Sequence, residues 1–63
     1  MNLYDYLFTN VRIIDTEDIE HIGYVDLYEN EYDSGDDEPV IGLSTGIALL
    51  QSEIKSIEKL DTL

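Results

Sequence analysis

Seven residues, Ile22 to Tyr28, dictate most of what this chain can become. They read Ile-Gly-Tyr-Val-Asp-Leu-Tyr and alternate without a break. Gly23, Val25 and Leu27 fall on one face, and Ile22, Tyr24, Asp26 and Tyr28 on the other. Period-two alternation of β-branched and aromatic residues is the mark of a strand. A glycine near its start signals a bend or a close backbone approach. A long strand bent at a glycine is what a very small barrel needs, because that one strand must serve both layers.

At 63 residues the chain holds one domain and buries a smaller fraction of its surface than a large protein does. It has no Cys, so neither disulfides nor thiolate metal sites can staple it. A closed β core, self-association or both must supply the cohesion. Fifteen acidic residues stand against three basic ones, Arg12, Lys55 and Lys59, for a net charge of −12. Such a chain repels phosphate backbones and anionic membrane surfaces, because affinity for both rests on Lys and Arg. The charge therefore points to a basic protein partner reached by electrostatic steering, or serves solubility alone. A hydrophobic content of 43% argues against a wholly disordered acidic tail. No stretch approaches the roughly 20 apolar residues that span a bilayer. The opening Met1-Asn2-Leu3-Tyr4-Asp5 lacks the basic and apolar regions of a signal peptide, so a soluble cytoplasmic protein is expected.

Taken in order, Leu3, Tyr6 and Leu7 sit at helical spacing behind Asn2, an N-cap residue type. They predict a helix of one or two turns that lies as a lid over the core. Val11 to Thr16 reads as a first strand, and the short polar connection predicts an antiparallel hairpin with the central one. From Glu29 to Glu38 the chain carries six carboxylates and no base, and Pro39 closes the run. Two readings fit: a disordered loop, or an acidic hairpin projecting around Ser34-Gly35. Val40 to Thr45 reads as a third strand and Thr45-Gly46 as a turn. Ile47 to Gln51 reads as a fourth strand, apolar on both sides as in a buried or interface position. Ser52-Glu53-Ile54 suggests a 3₁₀-like turn, and Lys55 to Leu60 a fifth strand. A helix over 47–60 competes, since Leu50, Ile54 and Ile57 lie at i, i+4 and i+7.

A short helix followed by five strands, with Gly in a bent second strand, resembles the Sm-like branch of the small SH3-like barrels. At the residue level the chain is similar to small Sm-like (LSm-domain) proteins of low-GC Gram-positive bacteria and their phages. The matching pieces are Asn2-Leu3-Tyr4-Asp5-Tyr6-Leu7, Val11-Arg12-Ile13, Gly23-Tyr24-Val25 and Ser52-Glu53-Ile54-Lys55-Ser56-Ile57-Glu58. The resemblance implies an all-β, five-stranded SH3-like/Sm-like small barrel with a short N-terminal helix. It also implies a homo-oligomer in which edge strands of neighbouring copies pair. RNA-binding Sm proteins carry an Asp and an Asn after the second strand, and an Arg-Gly pair before the fifth. Here Asn30-Glu31-Tyr32-Asp33 has the residue types in the wrong order, and Leu50-Gln51 stands where the Arg-Gly pair belongs. With the charge, these departures argue against direct nucleic-acid binding.

No residue grouping suggests catalysis, and no cofactor or metal is expected. His21, the one histidine, shows no nucleophile or ligand partner and reads as a surface-strand residue. The run Asp33-Ser34-Gly35-Asp36-Asp37-Glu38 does not follow the spacing of a calcium loop. Tyr24 and Tyr28, on one face with Asp26, form an aromatic patch if exposed, or cover an end of the core if not. The candidate binding residues are thus Tyr24, Tyr28 and Tyr32 with Glu31, Asp33, Asp36, Asp37 and Glu38, and Gly23 is the candidate structural hinge. The expected function is non-enzymatic: a small acidic protein-interaction module. The alternative is a phage-type inhibitor that imitates nucleic acid, with its carboxylates placed where an anti-restriction or anti-CRISPR target expects phosphates. On either reading Gly23→Val damages the fold, and substitutions after Tyr28 affect function alone.

Overall fold

The computed structural model describes residues 2–60. It is mostly β: five antiparallel strands in one sheet, with two single 3₁₀ turns. The strands are β1 (Asn10–Asp15), β2 (Glu20–Glu29), β3 (Val40–Leu43), β4 (Ala48–Leu50) and β5 (Ile54–Lys59), in the order β4-β3-β2-β1-β5. No described helix is long and apolar enough to cross a membrane.

The strand over Ile22–Tyr28 is present and longer than its alternation implied. Its first half pairs with β1, from Ile14↔Glu20 to Asn10↔Tyr24, and its second half with β3, from Val25↔Leu43 to Glu29↔Val40. One strand therefore serves two halves of the sheet. At the changeover the Val25 backbone bonds instead to the N-terminal segment: Phe8 N–H donates to Val25 O (2.7 Å), and Val25 N–H to Thr9 O (2.9 Å). Gly23 is buried just before that point. A Cβ there would lie 3.4 Å from Thr45 Cγ2 and 3.5 Å from Leu43 Cβ, ordinary contact distances. Gly23 thus faces Leu43 and Thr45 across the strand pair.

The alternation does not survive the length of β2. The pairing register shifts between Val25 and Leu27, a bulge at Asp26. An extra residue reverses the face of everything after it. Leu27 was expected beside Gly23 and Val25; it points outward and is 44% exposed. Tyr28, expected beside Tyr24, turns inward and packs against the core.

The N-terminal helix is replaced by a single 3₁₀ turn, Leu3–Tyr6. Asn2 caps it as expected, its Oδ1 accepting from Tyr4 N–H at 3.2 Å. The turn stops because Phe8 takes a left-handed φ of 63° and gives its N–H to Val25. A tertiary bond thereby takes the donor that a longer helix would use. Leu3 is buried beneath the turn, with Tyr6 and Leu7 packed beside it. Over 47–60 the strand reading holds, with a 3₁₀ turn at Gln51–Glu53 between β4 and β5. Glu53 Oε1 accepts from Leu50 N–H at 2.9 Å and ties the turn back on itself.

That turn has a geometric consequence. β4 and β5 are the two outer strands of the sheet, yet only three residues separate them. The four steps from Leu50 to Ile54 reach only about 14 Å, so the sheet must curl until its outer strands approach. The curl encloses one core: Leu3, Val11, Ile13, Val25, Ile41, Leu43, Leu49 and Ile54. Both halves contribute, and no buried side-chain polar atom among the described residues lacks a partner.

Candidate functional site

The acidic segment is neither an extended hairpin nor free of internal structure. It is a chain of turns held at both ends. At its start Asn30 Oδ1 accepts from the N–H groups of Tyr32 (2.9 Å) and Asp33 (3.0 Å), while Asn30 O accepts from Ser34 N–H (3.0 Å). Side-chain amides bond readily to backbone two or three residues on, which makes Asn a turn former. At its centre Ser34 Oγ donates to Glu38 O (2.7 Å) and accepts from Asp36 N–H (3.1 Å). Gly35 (φ 80°) and Asp37 (φ 60°) supply the left-handed backbone that so tight a path requires.

At its far end the Glu38 carboxylate grips the second 3₁₀ turn. Its two oxygens accept from Ser52 N–H (2.6 Å) and Ser52 Oγ (3.0 Å), and Pro39 O accepts from Gln51 N–H (2.9 Å). Glu38 is thus a clasp between the loop and the β4–β5 connection. Of the carboxylates read from the sequence as a binding set, Glu31, Asp33, Asp36 and Asp37 are exposed, whereas Glu38 is half-buried and engaged.

The tyrosines separate. Tyr32 projects from the loop, 86% exposed, and Tyr24 lies on the outer face of β2 at 39%. Tyr28 is half-buried and meets Tyr4 edge-to-face, with ring centroids 5.4 Å apart and planes at 80°. That geometry suits the aromatic quadrupole. The joint surface patch of Tyr24 and Tyr28 does not form, since the bulge lies between them.

All three cationic side chains have partners in the β1–β5 half. Arg12 on β1 bonds Glu20 of β2 through Nε, and its Nη1 lies 3.4 Å from Glu58 of β5. The Glu20 hydrogen bond, more than any other contact, raises the guanidinium pKa further. Lys55 pairs with Asp18, and Lys59 Nζ stands 5.7 Å from the Tyr6 ring centroid. From residue 13 to residue 54 the sequence holds no Lys or Arg. The exposed loop acids therefore have no basic neighbour in their own half.

One pair escaped sequence reasoning. His21 is not an open surface residue: its Nε2 lies 2.8 Å from Asp15 Oδ2, both side chains 14% exposed. Asp15 Oδ1 also accepts from Glu17 N–H (2.8 Å) and Ile19 N–H (3.0 Å), closing the β1–β2 hairpin. The His21 hydrogen bond, then the Ile19 N–H, hold the Asp15 carboxyl below its ordinary pKa. The hairpin register carried the signal. Ile13 pairs with His21, so Asp15, two residues on, shares its face and closes the same end. The pair reads as a turn clasp, because among the described residues no third metal-ligating group joins it. Among the described residues no cluster of three metal-ligating side chains occurs and no pocket is present.

No family model, curated protein or solved structure matches this chain.

Proposed function

We propose that this protein is a non-enzymatic, acidic protein-interaction module built on a small Sm-like barrel. The charge segregation carries the reading. Every Lys and Arg is engaged within the β1–β5 half, while Glu31, Asp33, Asp36 and Asp37 stand exposed on the β2–β3 loop, with no Lys or Arg from residue 13 to residue 54. A surface of that kind steers basic partners and repels phosphate. The strand order β4-β3-β2-β1-β5, the long strand β2 shared by two ladders and the three-residue link between outer strands support the small-barrel assignment. The outer position of β4 and β5 supports assembly into a homo-oligomer by strand pairing between copies.

The test is affinity capture from lysate at low and high salt, with nuclease treatment. The reading expects a basic protein retained at low salt, released at high salt and indifferent to nuclease. Capture that vanishes with nuclease would sink it. Light scattering on a size-exclusion column tests assembly separately, and a strict monomer at high concentration removes the oligomer.

A second reading, inhibition by imitation of nucleic acid, is favoured by the same four exposed carboxylates. Its test neutralises Glu31, Asp33, Asp36 and Asp37 and spares Glu38, whose loss would loosen the clasp on Ser52. Salt-sensitive binding to a basic nucleic-acid enzyme should disappear in that variant. Binding that keeps its strength and its salt dependence refutes the mimic.

A further inference from the structure

The half of the sheet that lacks cations is also apolar on its outer face. Ile41 and Leu49 point into the core, so their neighbours along β3 and β4 point out. The register then places Leu27, Gly42 and Ala48 in one outward row across β2, β3 and β4. Val40 and Leu50 form the next row, beside Glu29. Leu27 stays 44% exposed even though it lies over Gly42, where a Cβ would come within 3.0 Å of Leu27 Cβ. A one-sided antiparallel sheet normally turns polar residues to water. The outer face of the other half is mixed: Arg12, Glu20 and Glu58 are bridged across three strands, and Ile22 is exposed opposite Arg12.

We infer that the outer face of β2–β3–β4 is a docking surface for a cationic amphipathic segment of another protein. Its apolar side chains would cover Leu27 and Ala48, and its Lys or Arg residues would face Asp26 and Glu29. Charge complementarity selects this occupant. Asp26 and Glu29 rim the face, and β2, β3 and β4 contain no Lys or Arg. A second copy laid on the same face would set these carboxylates against their counterparts, a repulsion that a cationic segment turns into attraction. The inference rests on the protein-interaction reading and moves the contact from the loop to the sheet.

The test is a titration of the isotope-labelled full chain, followed by amide chemical shifts, with three synthetic peptides. One alternates Leu and Lys; a second replaces Leu by Ser at the same charge; a third replaces Lys by Glu. The Leu/Lys peptide should shift the amides of Leu27, Gly42, Ala48 and Leu50. It should bind about tenfold more tightly than the Ser/Lys peptide, the effect of burying one or two apolar side chains. The Leu/Glu peptide should not bind. Ala48→Asn and Leu27→Asn should each weaken the Leu/Lys peptide about tenfold, with thermal melts confirming that both variants fold. Equal binding of the Leu/Lys and Ser/Lys peptides, or shifts confined to residues 31–37, overturns the sheet-face site and leaves the acidic-module reading standing. Binding by no peptide overturns it as well. Nuclease-sensitive lysate capture, in contrast, is the failure of the broader reading.

Discussion

The two halves that share β2 solve the same packing problem with opposite surfaces. On the β1–β5 side the ladders with β1 are long, one register shift falls between Ile14 and Asp15, and a three-strand charge bridge shares the outer face with Ile22. On the β3–β4 side the strands are four and three residues long, the register slips at Asp26, and the outer face is apolar between carboxylates. Both sides feed one core, and the functional difference lies on the outside. A sheet half that completes its own charge pairs has little left to offer a partner. A half that leaves its acids and apolar rows unmatched keeps that capacity.

The largest expected effects probe the shared core. Ile13→Ala on one side and Ile41→Ala on the other remove fully buried side chains, and each should cost roughly 2–5 kcal/mol in urea denaturation. If the halves are one cooperative unit, both variants weaken amide-exchange protection across β1–β5 and β3–β4 alike. Protection lost only around the substituted residue would divide the molecule in two.

Two glycines of the sheet sharpen the contrast. Gly42→Ala places a methyl within 3.0 Å of Leu27 Cβ, and the overpacking should cost about 1–3 kcal/mol. Gly23→Ala meets Thr45 and Leu43 only at ordinary contact distance, so it should be neutral or stabilising by up to about 1 kcal/mol through the unfolded chain. The larger Gly23→Val should return a penalty of about 1–3 kcal/mol. Thermal or urea midpoints of the three variants test the ranking.

These variants also mark where sequence reasoning reached and where it stopped. Strand positions were legible because Val11 and Ile13, or Tyr24 and Val25, alternate within a few residues. The bulge at Asp26 was not, since a slip exists only relative to a partner strand, and nothing in Val25-Asp26-Leu27 announces it. The candidate site suffered accordingly: Tyr24 and Tyr28 parted, and Leu27 came to the surface. Glu38 looked like one acid among six, because its partner Ser52 lies on a distant turn. Substitutions after Tyr28 are therefore not purely functional. Asn30 and Glu38 hold the loop, while Asp36 and Asp37 do not.

Acid acts on the fold through Asp15. Asp15 has a depressed pKa in the folded chain, so its contribution is complete above the ordinary carboxylate value of about 3.9. That contribution disappears as pH falls through the lowered folded value. Protonation of the other carboxylates relieves self-repulsion and opposes the loss. Comparison with Asp15→Asn isolates the Asp15 part: the stability gap between parent and variant should close between about pH 4 and lower pH. A gap that persists unchanged would remove the clasp role.

The smallest effect belongs to the loop. Asp36→Asn and Asp37→Asn relieve like-charge repulsion in the cation-free half. Each should change stability by no more than about 0.5 kcal/mol, with gains that fade at about 1 M salt. Asn tolerates the left-handed backbone of Asp37, so that position remains unstrained. Melting curves at two ionic strengths read the difference.

The pairing of β1 with β5 also sets the order of assembly in time. The β1–β2 hairpin closes over a four-residue turn, but the opposite flank of β1 waits for a strand from the far side of the sequence, Val11 meeting Lys59. Pairings between distant segments demand a large loss of chain entropy before they yield contacts, which slows folding to about the millisecond-to-second range of non-local β domains. Until β5 arrives, one flank of β1 is an open template that another chain can occupy. The half with the most complete surface in the finished molecule is therefore the one most open to wrong pairing while it forms.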